Sequence, residues 1–503
     1  MKVFPTVDLI ICNATIATAS DVLLNQDIAV SQGKIVLLGQ HLTSLFSAAQ
    51  VIDAEGAYVT PGGVDSHAHL DQDNSVTGDT FETGTRSAVA GGTTTVFAFA
   101  TQKRSDESVI PVVEDYHRRA TGNAYCDYGF HLILTNPTNK IVDEELPTLV
   151  TDGGITSVKL YMTYEPLKLG DREILDVMEC TRRLGMTTMV HAENSEMINW
   201  ITEKLEARKM TEPYYHAVSR PKIAEDEATY RVISLSELID IPILIVHMSS
   251  RVAVSHVRKA QTRLLPIHAE TCPHYLFLTS ERLKGEIFEG AKCVCSPPLR
   301  EDPMELEEMW KGLSNGTFTT FSSDHAPSKF DHPQGKKAGL VDGTMSFKKI
   351  PNGLPGVETR MATLFCGGVL TGRISIQRFV ELTSSNPAKL YGLGDRKGTI
   401  APGYDADFVI WYPTEEQAKQ RGSQKTMAPF TLTNAMLHHD IDYTPFEGME
   451  FQNWPRYTIL RGKVVWDRDN GGLLGKMGDG VFLKRGRSTL SKPRDVFVND
   501  FRP

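Results

Sequence analysis

Eight short segments rich in apolar and β-branched residues recur through the first two thirds of the chain, and most of them end on a residue that can bind a metal or carry a proton. They read VTPGGVDSHAHL, TTTVFAFAT, YGFHLILTN, SVKLYM, TTMVHAE, PILIVHMSS, LPIHAETCP and FTTFSSDHAP. Between them lie helical patterns such as DREILDVMECTRRLG, DEATYRVISLSELID and PMELEEMWKGLSNG, with apolar residues three and four apart. Strands alternating with helices close most economically into a parallel (β/α)8 barrel, an α/β fold whose reactive groups gather at the C-terminal ends of the strands. Those ends carry His67 and His69, Lys159, His191, His247 and Asp324. A barrel enzyme is the expectation.

At 503 residues the chain exceeds the roughly 250 residues of one barrel, so a smaller unit should accompany it. Residues 1–60 read as short antiparallel strands, IICNATIAT and DIAVSQGKIVLLG, and the same texture returns over 397–475 in KGTIAPGYDADFVIWYP and RYTILRGKVVWDRD. Neither segment alone has enough strands to bury a two-sided core. The expected architecture is a catalytic (β/α)8 barrel of the TIM type over 61–396, with a smaller β-sandwich domain built from both terminal segments. Residues 476–503, rich in Gly, Lys, Arg and Pro, read as an extended arm that is either solvated or packed on another subunit.

The balance of 53 Lys and Arg against 62 Asp and Glu leaves a formal charge of -9, and no basic run offers a stripe for phosphates, so nucleic acid is excluded as a partner. The N-terminus lacks a basic, then apolar, leader pattern, and no stretch approaches the roughly 18 apolar residues of a membrane span. A cytoplasmic protein with no membrane partner is expected. The seven cysteines, Cys12, Cys126, Cys180, Cys272, Cys293, Cys295 and Cys366, are scattered, which argues against a disulfide framework. Cys293 and Cys295 share a strand face but lack a second pair at zinc-ribbon spacing, so a packing role is expected for both.

His67 and His69 stand two apart on a strand, hence on one face, where they can share a metal. Lys159 sits among residues that want to be buried, and a buried ammonium must be paired or neutralised. It either bonds a neighbouring carboxylate or reacts with carbon dioxide to give a carbamate whose oxygens can bridge two cations. His191 and His247 supply a second set of donors, with zinc the leading candidate. Asp324 closes the circle from the eighth segment. Two adjacent divalent ions acidify a shared water and polarise a carbonyl, so hydrolysis is the expected reaction.

The stretches TPGGVDSHAHLD, TGTRSAVAGGTTT, SVKLYMTY, VHAENSEMI, YYHAVSRP, IVHMSS, AETCPHYLFLT, CSPPLR, KIPNGLPGVETRM, FVELTSSNPAKLYGL and KGTIAPGYDADFVIW extend over nearly the whole chain. With them the sequence resembles the cyclic amidohydrolases, specifically the dihydropyrimidinase and hydantoinase branch of the amidohydrolase superfamily. The resemblance implies two zinc ions per subunit, one held by His67, His69 and Asp324 and the other by His191 and His247, bridged by N6-carboxylated Lys159. It implies Asp324 as general base and then acid, Tyr164 as support for the developing oxyanion, and Ser296 and Asn352 gripping the ring amide largely through backbone groups. The implied substrate is a small cyclic amide. Opening of 5,6-dihydropyrimidines (dihydrouracil, dihydrothymine) to N-carbamoyl β-amino acids by a metal-bridging hydroxide leads, ahead of hydantoin or cyclic imide hydrolysis and of a non-catalytic scaffold. A homotetramer is also implied.

The same resemblance separates this chain from its neighbours. Dihydroorotases place an arginine shortly after H-x-H, where this chain has Leu70-Asp71-Gln72. Mononuclear deaminases lack the bridging lysine, and the non-catalytic relatives have lost metal ligands. Three places depart from the family forms: Asp71-Gln72-Asp73-Asn74-Ser75, His325-Ala326-Pro327-Ser328-Lys329-Phe330, and His274 where glutamine is expected. The first two border the pocket; His274 is expected to pack on the surface or behind the ligands.

Overall fold

The computed structural model describes residues 5–72, 76–341, 343–421, 426–498 and 502. The eight apolar segments form strands β1 (Gly63–Ala68), β2 (Thr93–Thr101), β3 (Asp127–Ile133), β4 (Ser157–Tyr161), β5 (Thr187–His191), β6 (Ile243–Ile245), β7 (Ile267–Thr271) and β8 (Thr320–Phe321). They pair in chain order as one parallel eight-stranded sheet. A bridge between Ala68 and His325, with His69 N donating to His325 O at 2.7 Å, brings β1 back against the end of β8. Strands of such a barrel are covered on both faces, which is why β2 reads TTTVFAFAT and is buried along all but its last residue.

Amphipathic helices form the outer layer. Asp171–Leu184 turns Ile174, Val177 and Met178 inward and ends on Gly185, whose φ of 70° is the left-handed conformation that glycine adopts without strain. Arg251–Thr262 starts at Ser250, whose hydroxyl accepts from Ala253 N, and Pro303–Ser314 starts at Asp302, whose carboxylate accepts from Met304 N.

The two terminal segments join in one nine-stranded, mostly antiparallel sheet. Its seam is the pairing of Tyr58–Pro61 with Phe408–Trp411, with Val59 opposite Ile410 and Pro61 opposite Phe408. Thr6–Ala17 pairs in parallel with Ser47–Asp53 and Tyr58–Pro61, so the sheet is mixed at its centre. The chain passes from this sheet into β1 through Gly62, where a Cβ would fall 2.1 Å from Thr94 Oγ1.

A buried ionic network ties the sheet to the barrel. Lys397 Nζ lies 2.7 Å from Asp127 at the start of β3, 2.5 Å from Asp407 and 3.0 Å from Asp405, and Arg461 also pairs with Asp127. Burial pushes the Asp405 carboxyl up, but Lys397, Lys34 and Arg396 outweigh it and hold it down at about 2. Asp407, buried and beside Asp127, is pushed up despite the same lysine.

The first part of the arm is not solvated. Through Leu490 it packs against its own barrel: Tyr128 N donates to Val481 O, and Leu483 N to Tyr128 O. Leu483 and Arg485 are buried, the latter donating to Ser157 Oγ at 2.9 Å and to Phe130 O. The barrel floor offers unpaired acceptors and apolar rings, which a chain carrying Leu483 and Arg485 satisfies. Cys293 and Cys295 are buried, and all seven cysteines are free of disulfides. No helix among the described residues is long and apolar enough to cross a membrane.

Replacing Lys397 with Met should lower the unfolding free energy by about 3–5 kcal/mol, because three carboxylates lose a buried partner. Asp405 stays charged in the fold down to about 2, while its ordinary value is 3.8. Its contribution is thus present above that value and lost as pH falls toward 2, and urea titrations across that range should show a steeper loss in the native protein than in Lys397→Met.

Candidate active site

The C-terminal ends of the barrel strands surround a cavity of about 360 Å³. Its wall includes His69, Lys159, Tyr164, His191, His247, Ser296, Asp324 and Asn352, with Ile133, Leu167 and Pro327 as apolar surface. His67 lies just behind. The structure therefore brings together all nine residues singled out in the sequence.

His67, His69 and Asp324 present ligand atoms within 4.8 Å of one another. His67 Nε2 is 3.1 Å from Asp324 Oδ1, and His69 Nε2 is 3.9 Å from the same oxygen. The other nitrogen of His67, Nδ1, is 2.7 Å from Glu270 Oε1. A carboxylate on one ring nitrogen orients the imidazole and directs the second nitrogen inward, the arrangement expected behind a metal ligand. Burial holds His67, His69 and His247 well below the usual imidazole value, with Lys159 among the charges adding to it, so these rings are neutral donors.

His191 and His247 face each other with ring centres 4.4 Å apart. His191 Nε2 meets Glu193 Oε2 at 2.7 Å, and the same oxygen accepts from Arg220 Nη1 at 2.5 Å. Burial opposes charge on Glu193, yet Arg220 and His191 outweigh it and hold the carboxyl at about 2. His247 Nδ1 is buried without a partner among the described residues.

Lys159 Nζ lies 2.7 Å from His67 Nε2 and over the rings of Phe99 and Tyr161 at 4.5 and 5.0 Å. No carboxylate forms an ion pair with it among the described residues. Burial drives its ammonium down to about 8 against the opposing charges of Asp324 and Glu270. The shift raises the share of neutral amine, the form that reacts with carbon dioxide. Asp324 is pushed up to about 7 by burial, opposed by Lys159.

Across the cavity, Tyr164 OH accepts from Asn352 Nδ2 at 3.1 Å, and the Arg220 guanidinium sits 4.9 Å over its ring. Burial raises the phenol above its ordinary value, so it remains a donor. Tyr164, His247 and Asp324 have φ of 66°, 39° and 46°. Left-handed backbone costs a non-glycine residue about 1–3 kcal/mol, and three such residues at one pocket are strain held by the surrounding barrel.

Glu270, Glu193 and Arg220 were not singled out in the sequence. The available signal was a charged residue in or beside an apolar strand: Glu270 in IHAET and Glu193 two residues past His191. His274 is buried, not on the surface, and packs on the Tyr275 ring at 4.1 Å. Of the first divergent loop, Gln72 is fully engaged, donating to Phe99 O at 2.8 Å and Tyr116 OH at 2.9 Å and accepting from Thr101 Oγ1 at 2.9 Å. Asp73, Asn74 and Ser75 lie outside the described residues. The second loop is anchored by His325 Nε2 to Asp79 at 3.0 Å and by Lys329 Nζ to Asp440 at 2.8 Å.

Residues 58–465 match the amidohydrolase family. The chain is 41% identical over 493 residues to a D-hydantoinase of Geobacillus stearothermophilus, covering 97% of this chain and 98% of that one. It is 38% identical over 463 residues to a D-phenylhydantoinase of Escherichia coli O1:K1 / APEC, covering 92% and 94%. The crystal structure of dihydropyrimidinase from Brevibacillus agri NCHU1002 superposes with a TM-score of 0.88 at 37% identity, over 95% of this chain and 98% of that one.

The donor chemistry of four imidazoles and a carboxylate around a buried amine fits divalent metal. Glu193→Gln removes the charge that holds His191 and Arg220, and should weaken metal binding at the His191 side by about 10- to 100-fold in a competitive chelator titration.

Proposed function

Because the chain belongs to the amidohydrolase family and is a cyclic amidohydrolase acting on C–N bonds, we propose that it opens the ring of 5,6-dihydropyrimidines, dihydrouracil and dihydrothymine, to N-carbamoyl β-amino acids. The reading rests on one observation: neutral imidazoles, Asp324 and a buried Lys159 converge at the strand ends facing Tyr164. In this proposal His67, His69 and Asp324 hold one zinc ion and His191 and His247 the other. The Lys159 amine would add to carbon dioxide, forming an N–C bond and releasing a proton, and the carbamate would serve as a further oxygen ligand. Metal ions held there would supply Lewis acidity toward the ring carbonyl and the attacking water.

The chain's own residues carry the rest. Asp324, at the end of β8 and facing the cavity, takes a proton from the attacking water and returns it to the ring nitrogen as the C–N bond breaks. The Tyr164 hydroxyl donates to the oxygen on which negative charge develops, and Asn352 holds that hydroxyl in place. Ser296 and Asn352 lie beside the ring amide, whose recognition runs through the backbone around them.

The D-hydantoinase names of the Geobacillus and Ralstonia relatives favour hydantoin as a second reading. Initial rates on dihydrouracil, hydantoin and succinimide, with zinc-loaded protein supplied with bicarbonate, separate the two. Dihydrouracil should be the fastest; hydantoin as the fastest would transfer the assignment, and turnover of none would overturn it. Lys159→Ala should abolish turnover and the paired-metal stoichiometry. Tyr164→Phe should lower kcat roughly a hundred-fold or more with zinc content unchanged.

Trp200, Ile223 and Tyr230 are exposed on the helices Ser195–Ala207 and Lys222–Ile239, at 62%, 54% and 60% of their surface. Large apolar side chains of this kind suit an interface between copies, and we propose a homotetramer. Light scattering should return the mass of four chains, and Trp200→Glu with Tyr230→Glu should reduce it. The free cysteines, six of them buried, suit a reducing compartment, in keeping with a cytoplasmic location.

A further inference from the structure

A lysine outside the metal cluster joins the backbone segments that frame the ring. Lys336 belongs to the stretch following β8 that rims the cavity, where Pro327, Ser328 and Gln334 line the mouth. Its side chain is fully buried. Nζ donates to Val294 O at 3.0 Å, Pro351 O at 2.6 Å and Gly353 O at 2.8 Å. An ammonium has three donors and no acceptor, so these carbonyls saturate it. The titratable groups facing it are the Cys293 and Cys295 thiols, with His216 beyond; no carboxylate is paired with it among the described residues. Burial accordingly pulls it down to about 7. A buried cation without a carboxylate is expensive, and only the three carbonyls offset that cost here.

The three carbonyls are placed where they matter for the ring. Val294 stands two residues before Ser296, and Pro351 and Gly353 flank Asn352. Gly353 N donates to Val294 O at 3.0 Å, and His216 Nε2 meets Cys295 O at 2.8 Å. Gly353 has φ of 119°, and a Cβ there would fall 2.1 Å from Ala326 O, so segment 351–353 lies against the backbone that follows β8 as closely as backbone permits. Without a cation between them, three carbonyl dipoles would point into one small volume and push the segments apart.

We propose that Lys336 is a positioning residue for ring opening: its ammonium sets the spacing between segments 294–297 and 351–353, so that the backbone beside Ser296 and the backbone beside Asn352 reach the ring amide together. The inference rests on the reading that Ser296 and Asn352 lie against the ring. It assigns Lys336 no contact with the metal ligands or with the migrating proton. Its loss therefore acts on substrate binding more than on the chemical step.

The test uses Lys336→Met, which keeps the stem and removes the donors, and Lys336→Arg, which keeps the charge but replaces a compact ammonium by a planar fork that cannot occupy the same three-carbonyl cage. KM, kcat, zinc content and thermal midpoint are measured on both variants and the native protein, with the ring that the native protein turns over fastest. Expected is a KM raised ten-fold or more in each folded variant, with kcat within three-fold and zinc content unchanged. A mere core-packing role would lower the thermal midpoint and leave KM as it was. If Lys336→Met does not fold, Lys336→Arg decides alone. A folded, zinc-loaded variant with KM within two-fold of native overturns the proposal while the ring-opening reading stands. Absence of native turnover on every ring overturns both.

Discussion

The main-chain bond from His69 N to His325 O, with the bridge between Ala68 and His325, draws the first barrel strand against the last. The site depends on that closure. In strand β1 His67 and His69 share the inward face, and Asp324 leaves β8 one residue before the bridge. Only when the parallel sheet comes round do these groups, from opposite ends of the barrel in sequence, come within 4.8 Å. The same closure places Glu270 of β7 against His67 and leaves the Lys159 amine pointing at the nitrogen that Glu270 orients.

Low polarity inside the barrel then tunes these groups. Burial favours the neutral forms of Lys159, Glu270 and Asp324, and the attraction between Lys159 and the two carboxyls only partly restores charge. Burial likewise keeps the four histidines from protonating, despite nearby carboxylates. A cluster of neutral nitrogens and half-committed carboxyls is costly to protein alone and well suited to cations. Arg220 and Glu193 stand outside this tuning, a fixed ion pair that locks His191 from behind and carries Tyr164 on the guanidinium.

Chemistry and stability are divided between the two ends of the barrel. The cavity opens at the C-terminal ends of the strands. At the N-terminal ends, Asp127 is held by Lys397 and Arg461 from the terminal sheet, and Arg485 of the arm reaches Ser157 and Phe130. Lys336 is the counterpart of this anchoring on the open side, a buried cation bonded only to carbonyls.

Strand number, strand order and the residues at the strand ends were legible in the sequence, because a doubly covered strand must be apolar along its length and a polar residue at its end has to be explained. His67, His69, Lys159, His191, His247 and Asp324 stood out for that reason, and the pairing of the two terminal segments followed from neither having enough strands to fold alone. The roles of Glu270, Glu193, Arg220 and Lys336 were not legible, since a charge in an apolar run does not name its partner, and each partner here comes from a distant element. The burial of the arm's first part was not legible for the same reason: Leu483 and Arg485 look solvated until the barrel floor supplies Tyr128, Phe130 and Ser157. The left-handed backbone of Tyr164, His247 and Asp324 is invisible in residue types that ordinarily avoid it. By itself the sequence determined the barrel and its candidate ligands, through the one-dimensional pattern of burial. Only the tertiary structure decided orientation, protonation and partners, because those depend on distances between strands that the chain order does not contain.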